Sequence, residues 1–152
     1  MNIPSAALLE ERTIHLSDSV TVPVQARDFI RMVFEAAANG SSSNSACCDG
    51  TPERVLRTVL TFCYAAGIYG SLEIEAAATH DPVVRYLCAN HRLQWETIRD
   101  FRRRNSVALE IAVARTFALA LHDSPRFANS YYPAAAGALG SALRADSCAM
   151  DF

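Results

Sequence analysis

Between Val24 and Ala38 the apolar residues Phe29, Ile30, Val33, Phe34 and Ala37 recur at helical spacing, which predicts an amphipathic helix. Asn39-Gly40 stops it. The next stretch, NGSSSNSACCDG, has no period and reads as a flexible loop over 39–50. Thr51-Pro52-Glu53 then stacks a capping hydroxyl, a proline suited to the first helical position and an acid in the first turn. The helix so begun carries Val55, Leu56, Val59, Leu60, Cys63 and Tyr64 on one side and ends at Gly67 or Gly70. Ser71 can cap a short helix through Thr79, and Asp81-Pro82 repeats the cap-then-proline signal for another to about Cys88. After Asn90-His91-Arg92, residues 94–105 place Trp95, Ile98 and Phe101 on one side, and 107–121 form a further apolar helix, with a break near Asn105-Ser106.

The ends of the chain are less regular. Residues 1–23 show no sustained period, although Ile14 to Val24 can hold a short extended piece ending near Pro23. Beyond His122 the chain turns through Pro125 and Pro133 into the small-residue tract AAAGALGSALRA, a frayed or weakly helical tail. The expected fold class is therefore all-α: a small multi-helix orthogonal bundle with a flexible loop at 39–50 and a loosely ordered C-terminal tail. Its expected organisation is an N-terminal arm (1–23), a helical domain (24–121) and the tail (122–152).

Length agrees with one core, since 152 residues can bury roughly two-thirds of the unfolded surface. Composition sharpens the helical reading: 26 alanines make up about a third of the 51% hydrophobic residues, and alanine favours helix while adding little core volume. All 14 basic residues are arginine. The net charge of -2 is uneven, because Arg85 to Arg115 holds seven arginines against Glu96, Asp100 and Glu110, a local +4 that leaves -6 elsewhere. One basic segment in a mildly acidic chain can meet nucleic acid locally without making the whole protein a polyelectrolyte binder.

That segment holds the candidate chemistry. In ANHRLQWETIRDFRRRN (89–105), Arg99, Arg102 and Arg103 fall at i, i+3 and i+4, opposite the Trp95/Ile98/Phe101 stripe. A helix of this kind can bury its aromatic side and present guanidinium forks to phosphate oxygens or a guanine edge. Arg104, Arg92, His91 and Asn105 extend the surface. The same residues also fit an ordinary solvated face, with Asp100 pairing Arg103 and Arg104 and Glu96 pairing Arg99, and with the aromatic residues in the core rather than stacking on bases.

The order of motifs adds a resemblance. Leu60 and Tyr64, the glycine turn at Gly67 with Ser71, Ile74-Glu75, Asp81, Arg85-Tyr86-Leu87, and Thr97-Ile98 with Phe101-Arg102 hold their order and spacing over residues 60–105. In this the segment resembles the N-terminal domain of bacterial insertion-sequence DDE transposases. Two departures stand out. Leu93-Gln94 occupies the place of the family's Pro-Asp, which implies a poorer helix cap. Gly70, Leu72 and Glu73 stand where relatives often carry arginines, so any phosphate contact there is lost or weakened. The resemblance implies a DNA-binding or transposition-associated module whose partner is the DNA of insertion-element ends. The alternatives are a protein-interaction module, pairing with itself or with a full-length transposase for dimerisation or regulation, and an inactive remnant.

In such transposases the chemistry belongs to a ribonuclease-H-like domain whose three carboxylates hold two divalent metals. That domain would follow residue 121, where residues 122–152 offer Asp123, Asp146 and Asp151 without alternating strands. No catalytic activity is expected of this chain by itself. GxSxG, P-loop, GxGxxG and HExxH motifs are absent from the sequence. Cys88-x-x-His91, with Cys63 and His80, is half a zinc motif without a matching second pair and reads as structural. No cofactor, metal or small-molecule substrate is expected. Five cysteines without a CxxC fit a reduced compartment, and no apolar run reaches the ~20 residues that span a bilayer, so the expectation is a cytoplasmic protein with no membrane partner.

Overall fold

The computed structural model describes residues 3–17, 20–38, 50–121 and 131–150, and within them the chain is mostly helical. Three segments precede the first long helix: α1 (Ser5–Leu9), β1 (Glu11–His15) and β2 (Thr21–Gln25). They lead into α2 (Ala26–Ala38), which buries Ala26, Phe29, Ile30, Val33, Ala36 and Ala37 along one stripe. Phe34, expected on that stripe, instead lies 47% exposed. Its neighbour in space, α3 (Glu53–Ala65), is buried at every position from Val55 to Ala65, which makes it the centre of the bundle. The rings of Phe29 and Phe62 pack between these two helices with centroids 4.4 Å apart. Proline fits at the start of α3 as expected, but Pro52 is itself the cap residue and offers no side-chain cap.

A glycine sets the end of α3. Gly67 adopts φ +85, the Gly67 amide donates to the Tyr64 carbonyl, and the Ile68 amide reaches back to the Cys63 carbonyl at 2.8 Å. This is the two-bond helix stop in which a left-handed glycine satisfies otherwise orphaned carbonyls. A Cβ at Gly67 would also lie 3.1 Å from the His15 ring, so both backbone conformation and space favour glycine. The chain then enters α4 (Ser71–His80), α5 (Pro82–Leu87), α6 (Trp95–Arg104) and α7 (Ser106–Ala120). The break expected near Asn105 is real: that residue ends α6, starts α7, and donates its side-chain amide to the Phe101 carbonyl at 3.0 Å.

The first three elements and the last described helix also contribute to the core. β1 and β2 pair antiparallel with Thr13 opposite Pro23, and a proline is tolerated because the sheet has only edges. Ile14 and Leu16 enter the core. Arg12 makes a two-pronged ion pair with Asp81, at 2.7 and 2.6 Å, while Asp81 caps α5 by accepting from the Val83 amide at 2.9 Å. At the other end α8 (Tyr131–Met150) places Ala135, Ala138, Leu139 and Ala142 in the core. Their spacing of i, i+3, i+4 and i+7 is that of a docking face, and their small size lets α8 lie close to its neighbours. The loop expected over 39–50 lies, Gly50 apart, outside the described residues, as do 122–130 and 151–152 of the tail.

No helix among the described residues is long and apolar enough to cross a membrane. Cys63 and Cys88 are buried free thiols, and burial pushes both pKa values up, that of Cys88 to about 11. Thiols held this far from ionisation are poor nucleophiles.

Burial works against ionisation of Asp81, but the hydrogen bonds and charge of Arg12, with the Val83 and Val84 amides, outweigh it and hold the carboxyl below its ordinary range. The hydrogen bond to Asp81, against the cost of burial, raises the Arg12 pKa in turn. A carboxyl depressed in the folded state adds stability above its unfolded pKa of about 4 and loses it as pH falls through the folded value. Urea unfolding of Asp81→Asn is expected to show a loss of about 2 kcal/mol against the parent near pH 7. That gap should close progressively below about pH 4; a gap that stays constant to pH 2 contradicts the assignment.

Candidate functional site

α6 is amphipathic, yet the side it buries is not purely apolar. Ile98, Phe101 and Arg102 face inward, and Arg102 is 1% exposed. The expectation that the arginines of this helix look out to solvent therefore fails at Arg102. Its guanidinium forms an ion pair through Nη2 with Asp146 of α8. Nη1 donates to the Tyr64 hydroxyl at 3.2 Å and lies 3.5 Å from the Tyr69 carbonyl oxygen. Asp146 in turn accepts from the Ser71 amide through Oδ1 and from the Ser71 hydroxyl through Oδ2, both at 2.8 Å. The cause of the inward turn is the position of Arg102 one turn beyond Ile98 on the docked face, where α8 supplies a counter-charge.

Tyr64 shows how dry this cluster is. Burial pushes its pKa up to about 12, against the opposing charge and hydrogen bond of Arg102. Ser71 does not cap its own helix through its side chain, as the sequence leads one to expect; the Asp146 carboxylate sits at the α4 N-terminus instead. The same substitution of a distant carboxylate for a local cap occurs at α6. Gln94 makes no side-chain cap there, and Glu75 of α4 accepts from the Trp95 amide at 2.7 Å. The poor cap implied by Leu93-Gln94 is thus compensated across the fold.

The remaining predicted residues separate into three positions. Trp95 is half-buried rather than a core anchor, and the Arg99 guanidinium lies over its ring at 5.0 Å while pairing with Asp100 at 3.3 Å. Arg103 and Arg104 are exposed at the C-terminal end of α6, with Glu96 and Asp100 also exposed on that helix and Arg104 Nε 3.4 Å from the Asp100 carbonyl oxygen. Asn105 is half-buried at the junction with α7. His91 and Arg92 are exposed in the turn before α6 and line a small polar cleft of about 180 Å³ with Glu75 and Thr79. Since α6 rises about 1.5 Å per residue, its ten residues put this turn and the Arg103-Arg104 pair at opposite ends of a helix about 15 Å long. They do not form one continuous patch centred on Arg99 and Arg102.

Sequence reasoning missed Asp146, counted only as one of three scattered tail acids, and it missed the N-terminus of α7. That helix has no side-chain cap at Asn105 and no acidic residue in its first turn, with Ser106 and Val107 exposed beside Arg103 and Arg104. Among the described residues no group of three or more histidine, cysteine, aspartate or glutamate side chains is arranged to hold a metal ion. Compared with known protein families, curated proteins and solved structures, the chain matches none.

Breaking the buried pair leaves an uncompensated charge, so Arg102→Met and Asp146→Leu are each expected to cost about 3–5 kcal/mol in urea unfolding. The double variant should recover most of that loss, because two apolar side chains remove both charges together. A loss in the double variant equal to the sum of the two single losses would show that the pair is not coupled. Arg103→Ala, on the exposed face, should change stability by less than about 0.5 kcal/mol.

Proposed function

We propose that the protein is a non-catalytic nucleic-acid-binding module, of the transposase N-terminal type that residues 60–105 resemble, which holds duplex phosphates at the α6–α7 junction. The observation that carries this reading is the exposure of Arg103 and Arg104 beside the uncapped N-terminus of α7. The amides of a helix start, its partial positive charge and two guanidinium forks are complementary to one phosphate group. Arg92 and His91, at the far end of α6, supply a second point of contact. Arg102 contributes to the interior and not to this surface.

On this reading, binding of a 20-base-pair duplex carrying an insertion-element terminal repeat weakens steeply with salt. Arg103→Ala/Arg104→Ala should lower affinity and reduce the log–log salt slope by about 1, the value for one phosphate contact. Fluorescence anisotropy from 50 to 200 mM salt measures both. Absence of binding by the parent at 50 mM salt, or an unchanged slope in the double variant, overturns the proposal.

A second reading, a protein-interaction module, is favoured by one feature on another face. An apolar groove of about 540 Å³ runs between α2, α3 and α5, flanked by Phe34 and Tyr86, which are 47% and 37% exposed. Exposed aromatic residues beside an apolar groove mark a surface fit for a partner. If that partner is a second copy, light scattering shows concentration-dependent association that Phe34→Glu weakens; a monomer at all concentrations removes this reading for self-association.

A further inference from the structure

The donors that surround Asp146 form a more complete set than a salt bridge requires. The Ser71 amide and hydroxyl hold one carboxylate between them, with the Arg102 guanidinium beside it and the Tyr64 hydroxyl bonded to that guanidinium. All of this lies at the N-terminus of α4, a ten-residue helix with no cap of its own. Arg102 Nε is buried with no hydrogen-bond partner among the described residues, so the occupant does not use every donor of the guanidinium. Arg102, Tyr64 and Ser71 belong to α6, α3 and α4, whereas the occupant arrives on α8, the last helix. Host and guest thus come from different helices.

We infer that Arg102, Ser71 and the N-terminus of α4 form an oxyanion receptor which the Asp146 carboxylate fills in cis, so that the seated carboxylate and an external oxyanion compete for the same donors. The chemistry it takes is a small anion with at least two oxygen acceptors, a carboxylate or a phosphate group. A tethered occupant has a high effective concentration and outcompetes free ions. The apolar contacts of α8 are mostly alanine, Ala135, Ala138 and Ala142 with Leu139, and therefore add little burial per residue, which leaves the carboxylate as the specific element that seats the helix. No part of this rests on the nucleic-acid reading. That reading adds only that a backbone phosphate is one source of the anion.

The test is chemical rescue in the full chain. Asp146→Ala empties the receptor and leaves its donors in place; Arg102→Met/Asp146→Ala removes the receptor as well. Melting temperatures are measured in sodium phosphate, in sodium acetate and in sodium chloride at matched ionic strength. The parent and the double variant define the general effect of each salt. Phosphate or acetate at about ten times its half-saturating concentration should raise the melting temperature of Asp146→Ala by about 4 °C beyond those controls. Rescue by acetate alone marks a planar receptor, and rescue by phosphate marks one open to tetrahedral anions. No difference among the three salts overturns the inference. If Asp146→Ala does not fold in chloride, recovery of its helical circular dichroism in phosphate or acetate is the readout, and no recovery in either overturns it equally. Duplex DNA takes no part in this measurement, so its result and that of the DNA-binding experiment can fail separately.

Discussion

One guanidinium links four parts of the chain that are far apart in sequence. Arg102 of α6 bonds to the Tyr64 hydroxyl of α3, lies near the Tyr69 carbonyl of the glycine turn, and pairs with Asp146 of α8, which itself caps α4. A charge taken this far from water is costly unless its partner and hydrogen bonds are in place together. Such a group tolerates few alternative arrangements. It therefore specifies which helix closes the bundle and in what register, a task that the alanine-rich surface of α8 does poorly by itself. Gly67 serves the same geometry from the other side, because its left-handed turn ends α3 at Ala65, one residue beyond Tyr64, and brings Tyr69 and Ser71 to the cluster.

The interior helices were legible because their signals are local. The stripes of α2 and α3, the Asp81-Pro82 start of α5 and the Asn105 break each depend on neighbours within one or two turns, and each stands where the pattern puts it, Phe34 of α2 apart. The features that escaped depend on distant partners. The hairpin of β1 and β2 is pinned by an ion pair across 69 residues, between Arg12 and Asp81. α8 carried the correct i, i+3, i+4, i+7 face, but in alanines, whose weak hydrophobic contrast hides a docking stripe in plain composition. Arg102 sat at helical spacing with Arg99 and Arg103 and so was grouped with them. Its place one turn beyond Ile98 puts it on the docked face and the counter-charge from α8 holds it there, but no local pattern shows that a carboxylate 44 positions later will arrive.

The transfer of capping from local side chains to remote carboxylates links this architecture to function. α4 and α6 lack side-chain caps of their own, and Asp146 and Glu75 serve them from other helices. Each helix start is thereby tied to the packing of a second helix, so local order and tertiary order are gained or lost together. α7 differs, having neither a side-chain cap nor an acid in its first turn, and it is the start that lies beside two exposed arginines. A helix start satisfied from within becomes part of the scaffold, whereas one left open toward solvent retains its attraction for an anion. In the proposed reading, it is the contrast between the carboxylate-capped starts of α4 and α6 and the start of α7, without a side-chain cap, that favours a phosphate contact at the end of α6 where Arg103 and Arg104 stand. Arg102, one residue earlier, has already been committed to holding the fold.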